Sequence, residues 1–286
     1  MRTVLAHIKI HLFRTIEQFP PKDNRRNNHC KQYAIIFIVL ICQDLPCFAQ
    51  IMRGTTIIMR ESPMGLFVGA DGRISGSDFR PLPDPVCKIR TMGDSIAFFT
   101  HGNDPIGGIY NVDSMIFACL RAGFSCQDTR EILCKNIVNT QGIFRAILGL
   151  DTLAIDSLFP DRFLFGTIIA ERRNSKFIYW QIQFEILMSK AGIILKPDTT
   201  ALDTTKKAWF LGTINLIVKS FDLSGGTPVV VASKIYKLIN RQCTDPSGYT
   251  GKPVYILWWK RNGEMKWYGD NNPCKSETIP LPSVAE

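Results

Sequence analysis

Three residue types that together could activate a hydroxyl nucleophile occur at short intervals in the first third of the chain. Thr55 follows Gly54, Asp71 lies sixteen positions after Thr55, and Lys88 lies seventeen positions after Asp71. A threonine hydroxyl is a poor nucleophile, but a free α-amine with a pKa of about 8 can act as its base once the threonine is the first residue. A lysine beside the hydroxyl would lower the hydroxyl pKa, and an aspartate would hold the lysine in place. These residue types could therefore support nucleophilic catalysis by Thr55 if the Gly54–Thr55 bond were cleaved.

Other catalytic signatures are absent from the sequence. It contains no phosphate-binding P-loop, no G-x-G-x-x-G turn, no G-x-S-x-G nucleophile elbow and no H-E-x-x-H metal motif. After residue 49 the only histidine is His101, which disfavours a Cys/His zinc site and any mechanism that needs two imidazoles. His101 itself has two open interpretations, a structural histidine or a residue that lines a substrate site.

The first 49 residues have the pattern of a secretory signal peptide with an N-terminal extension. Basic residues precede the apolar run 33–42, and the small residue Ala49 follows it. The run is shorter than the roughly 20 apolar residues that a transmembrane helix needs. We therefore expect export to the periplasm or the extracellular space without a stable membrane span, and an uncleaved signal anchor is the alternative. Residues 50–54 would form a short propeptide.

The composition is that of a globular protein with an ordinary basic surface. The chain has 286 residues, of which 45% are hydrophobic, and a mean hydropathy of +0.03. These values exclude a disordered, collagen-like or polytopic membrane protein. The formal net charge of +9 falls to +5 beyond residue 49, where 27 basic residues face 22 acidic ones without forming a run or stripe. We therefore expect no nucleic-acid partner.

Six cysteines remain after residue 49, an even number in a chain that we expect to be exported. An oxidising compartment favours disulfide bonds between them, but the sequence does not choose among the alternative pairings. The six are Cys87, Cys119, Cys126, Cys134, Cys243 and Cys274.

The elements that must position the early residues are predicted from apolar periodicity and turn residues. The predicted strands are 56–60, 65–70, 87–90, 95–100, 163–170, 177–180, 209–212, 254–259 and 265–268. Helical spacing predicts helices over 112–120 and 128–138, with Asp128 as the cap of the second, and over 229–243. A charged turn is predicted at 171–174 and an Asn-Gly turn at 262–263.

Strands occur in blocks rather than alternating singly with helices. This order favours an α+β fold with two antiparallel sheets and helices outside them over a doubly wound parallel sheet. The sequence contains no internal repeat, low-complexity tract or linker. Residues 55–286 are therefore predicted to form a single domain.

The early cluster resembles the N-terminal nucleophile (Ntn) hydrolases of the proteasome β-subunit type. In that family a catalytic threonine is freed at a Gly-Thr bond, an aspartate in a D-x-R context ends the second strand, and a lysine opens the third. Thr55, Asp71 with Arg73, and Lys88 match these positions, although Lys88 comes one position later than the usual interval. The resemblance covers roughly residues 54–268. It implies a four-layer αββα sandwich and a threonine-type amidohydrolase or peptidase.

The resemblance also implies roles for further residues. Gly102 matches the glycine whose main-chain amide stabilises the oxyanion, a contribution on the order of 3 kcal/mol. Gly54 would be the processing residue, and Thr167 matches a hydroxyl on the strand that supports the site. The family's second aspartate and its serine have only loose matches, Asp222 and Ser224. The implied substrate is a peptide or small amide, and no metal or organic cofactor is implied.

Other functions and assemblies stay open at this point. An exported binding or scaffold protein could keep the sandwich without catalysis, and it would retain residues 50–54 ahead of Thr55. Proteasome-type subunits stack into rings, whereas export and paired cysteines leave a monomer or a small homo-oligomer equally open.

Overall fold

A computed structural model of the chain describes ten strands and three helices. The described residues all lie in the compact unit Phe48–Glu286. They are residues 55–73, 86–102, 112–139, 163–189, 192–199, 202, 208–212, 223, 225–244, 250–270 and 274.

Five strands form the first antiparallel sheet, sheet I, in the order β10-β9-β2-β1-β8. They are β1 (Thr56–Ser62), β2 (Gly65–Asp71), β8 (Ala208–Gly212), β9 (Val254–Trp259) and β10 (Met265–Gly269). The β1–β2 hairpin places Ile57 opposite Ala70, and β9 continues the ladder with Val254 opposite Asp71. The start of β1 therefore lies beside the end of β2, where the sequence predicted catalytic residues.

The other five strands form sheet II, in the order β3-β4-β5-β6-β7. They are β3 (Ile89–Met92), β4 (Ile96–Gly102), β5 (Phe163–Arg173), β6 (Lys176–Ser189) and β7 (Gly192–Asp198). Every pairing in this sheet is antiparallel.

The three described helices cover the outer faces of the two sheets. They are α1 (Val112–Arg121), α2 (Cys126–Asn139) and α3 (Pro228–Gln242). Helix α3 packs on β1, β2 and β9 of sheet I, whereas α1 contacts β4 and α2 contacts β6 and β7 of sheet II. On sheet II the rings of Phe98 and Phe117 meet edge to face, 4.9 Å apart.

Two apolar cores follow from the alternation of side chains along β1. Ile57 and Met59 face sheet II, in a core that includes Phe99, Ile168 and Trp259. The intervening Ile58 faces α3 instead, together with Ile235, Ile239 and Ile256. Because successive strand residues point to opposite faces, a strand apolar on both faces must be covered on both sides. The predicted α+β sandwich, with helices outside two antiparallel sheets, is confirmed.

Several details of the predicted elements were wrong. Strand β6, predicted over 177–180, extends over Lys176–Ser189, and β3, predicted over 87–90, spans Ile89–Met92. Helix α2 begins at Cys126, because the Ser125 hydroxyl accepts the Asp128 N–H at 3.1 Å while the Asp128 carboxylate accepts the Ser125 N–H at 3.3 Å, as in a capping box. Strand β5 runs on to Arg173, and the turn lies at 174–175, where both residues have positive φ. Strand β7 was not predicted because Pro197 interrupts its short apolar run; as an edge strand it tolerates the proline.

Candidate active site

Asp71 is the centre of a buried polar cluster at the end of β2. Its side chain is fully buried, and its two carboxylate oxygens accept four hydrogen bonds. The Lys88 ammonium donates to both oxygens at 3.0 Å, the Thr56 N–H donates at 2.7 Å, and the Gly251 N–H donates at 3.2 Å. A buried carboxylate with this many donors has a fixed position and can orient whatever it holds.

Lys88 approaches Asp71 from the other sheet, in the residue that precedes β3. It is buried, and its main-chain N–H donates to the Tyr255 hydroxyl at 2.7 Å. The Tyr255 hydroxyl in turn donates to the Val86 carbonyl at 3.1 Å. The phenol on β9 therefore fixes the chain on both sides of Cys87 and directs the Lys88 side chain toward Asp71.

Burial acts on both members of this ion pair. It raises the pKa of Asp71 and lowers the pKa of Lys88, and in each case the charge of the partner opposes the effect. The paired arrangement stabilises the two charges together, so that removal of either one leaves a buried charge without its partner. Burial therefore makes the Lys88 ammonium lose its proton more readily than an exposed lysine would.

Thr55 lies next to this pair at the start of β1. It is 6% exposed, and the N–H of the following residue, Thr56, is the one that bonds to Asp71. Ile57, two residues on, faces sheet II, so the strand alternation places the Thr55 side chain on the same inner face. The structure thus brings Thr55, Asp71 and Lys88 together, as the sequence spacing predicted; their catalytic roles stay predictions.

Gly212, at the end of β8, packs directly on the Thr55 main chain. Its φ is +78°, and a Cβ atom at this position would collide with the Thr55 carbonyl oxygen, lie 2.9 Å from the Thr55 carbonyl carbon and lie 3.7 Å from the His101 Cβ. His101 and Gly102 are the last residues of β4. The end of β4, which carries the predicted oxyanion donor Gly102, therefore lies across from Thr55 at the same end of the sandwich.

We predict that Gly212→Ala displaces Thr55. The substitution combines the strain of an L-residue at positive φ, about 1–2 kcal/mol, with a collision against fixed backbone. The matched control is Gly225→Ala, because Gly225 has a φ of +75° and open space around its would-be Cβ. Urea unfolding should show a clearly larger loss of stability for Gly212→Ala than for Gly225→Ala. Equal losses would contradict the close packing of Gly212 on Thr55.

We also predict that Tyr255→Phe disturbs Lys88 without emptying the core. The variant keeps the buried ring but removes a hydroxyl that both accepts from Lys88 and donates to Val86. The Lys88 N–H and the Val86 carbonyl would each lose the hydrogen bond to this hydroxyl, at a cost of about 1–3 kcal/mol. Chemical denaturation measures this change, and Tyr236→Phe, which removes a more exposed phenol bonded to Asp270, is the control. An unchanged stability for Tyr255→Phe would contradict this role.

Thr167, which the resemblance assigns to the support of the site, lies apart from the Asp71–Lys88 pair. Its hydroxyl donates to the Phe99 carbonyl at 3.2 Å and also lies 3.2 Å from the Thr100 hydroxyl, which donates its proton to the Asp113 carboxylate at 3.0 Å. Its neighbour Ile168 faces the core between the sheets, so Thr167 points toward the helices. No described contact joins Thr167 to the Asp71–Lys88 pair.

The remaining predicted residues are placed only in part. Arg73 runs along the Gly251 main chain beside Asp71, where a Cβ at Gly251 would meet the Arg73 side chain. Gly54, Asp222 and Ser224 lie outside the described residues.

Among solved structures, the chain is similar to an Anbu mutant from Hyphomicrobium sp. strain MC1. The identity is 12% and the TM-score 0.47, over 74% of this chain and 85% of that chain. No protein-family model and no curated protein sequence matches the chain. So weak a likeness carries no argument about family or activity. The sandwich is established by the strand pairing above, and membership of the Ntn hydrolases stays a prediction.

One of the expected disulfides is present, between Cys87 and Cys274. It joins the residue before Lys88 to the segment that follows β10, across a sequence separation of 187. The expectation that the six cysteines favour disulfides holds for this pair alone, because Cys119, Cys126, Cys134 and Cys243 are free thiols. Burial raises the pKa of Cys119 to about 11, so this thiol is a poor nucleophile at neutral pH.

Two absences hold for the described ranges of the chain. Within those ranges, no three His, Cys, Asp or Glu side chains lie close enough together to hold a metal ion. No helix in the same part of the chain is both long and apolar enough to cross a membrane. The predicted signal sequence lies outside it, so export stays a prediction, as does the absence of a metal or cofactor.

Sequence reasoning missed three residues that shape the site: Tyr255, Gly251 and Gly212. Tyr255 reads as one more apolar residue in a strand, and it lies 167 positions from the Lys88 it contacts. Gly212 is predicted only as the last residue of a strand, and Gly251 precedes a strand, where a glycine is most simply interpreted as a turn residue. Only their three-dimensional neighbours distinguish them.

Proposed function

We propose that the chain is an exported threonine-type amide hydrolase that works from the free α-amine of Thr55. The observation that carries this proposal is the position of Thr55 one residue before the N–H that bonds to Asp71, whose carboxylate holds Lys88. A hydroxyl, a cation and its fixing carboxylate at one end of a sandwich are the parts that an activated hydroxyl nucleophile needs. Gly102, whose main-chain N–H would be the oxyanion donor, is the last residue of the facing strand β4.

The reaction follows from these groups. The Thr55 hydroxyl attacks the carbonyl carbon of an amide, and its proton passes to the Thr55 α-amine. The oxyanion that forms is stabilised by the Gly102 N–H, and the charge of Lys88 favours the alkoxide. Collapse breaks the C–N bond, and the α-ammonium returns its proton to the departing amine. Water then attacks the ester on Thr55, which releases the acid and restores the hydroxyl.

Activation would use the same hydroxyl. Attack on the Gly54 carbonyl by the Thr55 hydroxyl exchanges the Gly54–Thr55 amide for an ester, and hydrolysis of the ester frees the α-amine. Cleavage and activation are then one event, because the base for later turnovers does not exist before it. The substrate is a peptide or small amide, no cofactor takes part, and the active form is a monomer or small homo-oligomer.

The experiment is intact mass and N-terminal sequencing of protein from the exported fraction, for the wild type and for two variants at the same position. Thr55→Val removes the hydroxyl but keeps the shape, and Thr55→Ser keeps a hydroxyl. We expect the wild type and Thr55→Ser to start at residue 55. We expect Thr55→Val to retain residues 50–54 and to hydrolyse no amide.

A start at residue 50 in all three proteins would contradict the proposal. The Thr55 amine would then stay blocked in a peptide bond, and an exported binding or scaffold protein would be the better account. Protein that remains with the cells and keeps its first 49 residues would contradict export separately.

A further inference from the structure

His101 is a buried side chain that the proposed reaction does not use. It is 3% exposed, and neither ring nitrogen has a hydrogen-bond partner among the described residues. Leaving a buried polar group unpaired costs about 1–3 kcal/mol, and an apolar residue would avoid that cost. A buried imidazole without a hydrogen-bond partner therefore needs an explanation, and a role in binding would supply one.

The ring lies at the same end of the sandwich as Thr55. Ala97 and Phe99 face the core between the sheets. His101 lies two residues after Phe99 on the same strand, so its side chain points to the same side. Its Cβ and the Thr55 carbonyl both lie against Gly212. The ring stacks on Phe163 with a centroid distance of 5.3 Å.

Gly166, opposite His101 on β5, leaves space for the imidazole. A Cβ at Gly166 would lie 2.6 Å from the His101 Nε2 atom and 3.3 Å from the Gln183 Cγ atom. The half-buried Gln183 side chain thus lies on the other side of the same glycine. Two uncharged polar side chains therefore flank Gly166, and no described hydrogen bond joins them.

The chemical state of the imidazole limits what it can bind. Burial lowers the pKa of His101 to about 4, so the ring is neutral at neutral pH. A neutral imidazole offers one N–H donor and one nitrogen acceptor. Its best partner is an uncharged group that also both donates and accepts, such as a carboxamide.

We propose that His101 selects substrates whose acyl part carries an uncharged carboxamide side chain, which it binds together with Gln183 beside Thr55. This inference rests on the proposed function for the position of the acyl group. A glutamine-type side chain would satisfy the imidazole. An isosteric methionine-type side chain would leave it unpaired, and a site built for a hydrogen bond rejects such an analogue.

The test measures binding rather than turnover. The probes are N-acetylglutaminol, N-acetylmethioninol and the carboxylate analogue derived from glutamate, alcohols that have no scissile amide at the reacting carbon. Calorimetry on the wild-type protein should give a Kd for N-acetylglutaminol at least about tenfold lower than for either of the others. His101→Leu should abolish that ratio, and His101→Gln, which keeps one donor and one acceptor, should retain most of it.

The outcomes separate this inference from the proposed function. The inference is overturned if the wild type binds none of the three probes, binds all three equally or prefers the carboxylate analogue. It is also overturned if the ratio of Kd values is unchanged in His101→Leu. If His101→Leu does not fold, the wild-type ratio and its retention in His101→Gln decide. A clear ratio in a protein that hydrolyses no amide would support the binding role of His101 while the hydrolase proposal fails.

Discussion

Lys88→Met is expected to destabilise the protein by about 3–5 kcal/mol, the effect of removing one member of a buried ion pair. Asp71 is fully buried, and Lys88 is 6% exposed. Without the ammonium, the donors left to the Asp71 carboxylate among the described residues would be the main-chain N–H groups of Thr56 and Gly251. Equilibrium unfolding in urea measures the loss. Under the proposed function the variant would also lose hydrolysis.

A double-mutant cycle distinguishes pairing from packing. Asp71→Asn/Lys88→Met removes both charges together, so it should be less destabilised than the sum of the single variants. The control is Glu264→Gln, which breaks the exposed pair with Lys260 and should cause a far smaller loss. Additive single effects would mean that Asp71 and Lys88 do not stabilise each other.

Loss of the Cys87–Cys274 disulfide is expected to have the second large effect. The bond closes a loop with a sequence separation of 187, which restricts the unfolded chain strongly. Cys87→Ser/Cys274→Ser should therefore cost roughly 2–5 kcal/mol in unfolding free energy. Reduction of the wild type by dithiothreitol should lower its unfolding midpoint to that of the double variant.

The same variant also tests how the site is held. Lys88 does not need the disulfide for its hydrogen bonds to Asp71 and to the Tyr255 hydroxyl. Under conditions where the double variant is still folded, its rate of amide hydrolysis should therefore stay close to that of the wild type. Cys134→Ser, at a free and half-buried thiol, is the matched control and should change little. Equal stabilities of the two serine variants would contradict the structural role of the disulfide.

The strands were predictable wherever the apolar run within a single strand was enough to identify it. Ile57 to Met59 lie between clear turn residues, and each side chain is buried against one of two cores. Pro197 hid strand β7, because the sequence does not reveal that the strand lies at an edge where no ladder partner needs the missing N–H. Helix α2 began earlier than predicted because its cap depends on two side chains together, those of Ser125 and Asp128.

The site was predictable only where residues lie close in sequence or match a known spacing. The contact of Asp71 with Lys88 followed from their interval, through the resemblance to a known family. The contacts of Tyr255 with Lys88 and of Gly212 with Thr55 could not be derived in this way. The residues in each contact are separated by more than half the length of the chain, and nothing in the local sequence distinguishes a tyrosine that fixes a lysine from one that fills a core.

The Asp71–Lys88 ion pair also connects the two sheets. Asp71 belongs to sheet I, and Lys88 leads into sheet II, so neither sheet carries both charges. A growing or partly folded chain with one sheet formed would hold a threonine without its cation. The proposed chemistry would then begin only when the two sheets dock, which times self-cleavage to the end of folding and spares unfinished chains from premature attack.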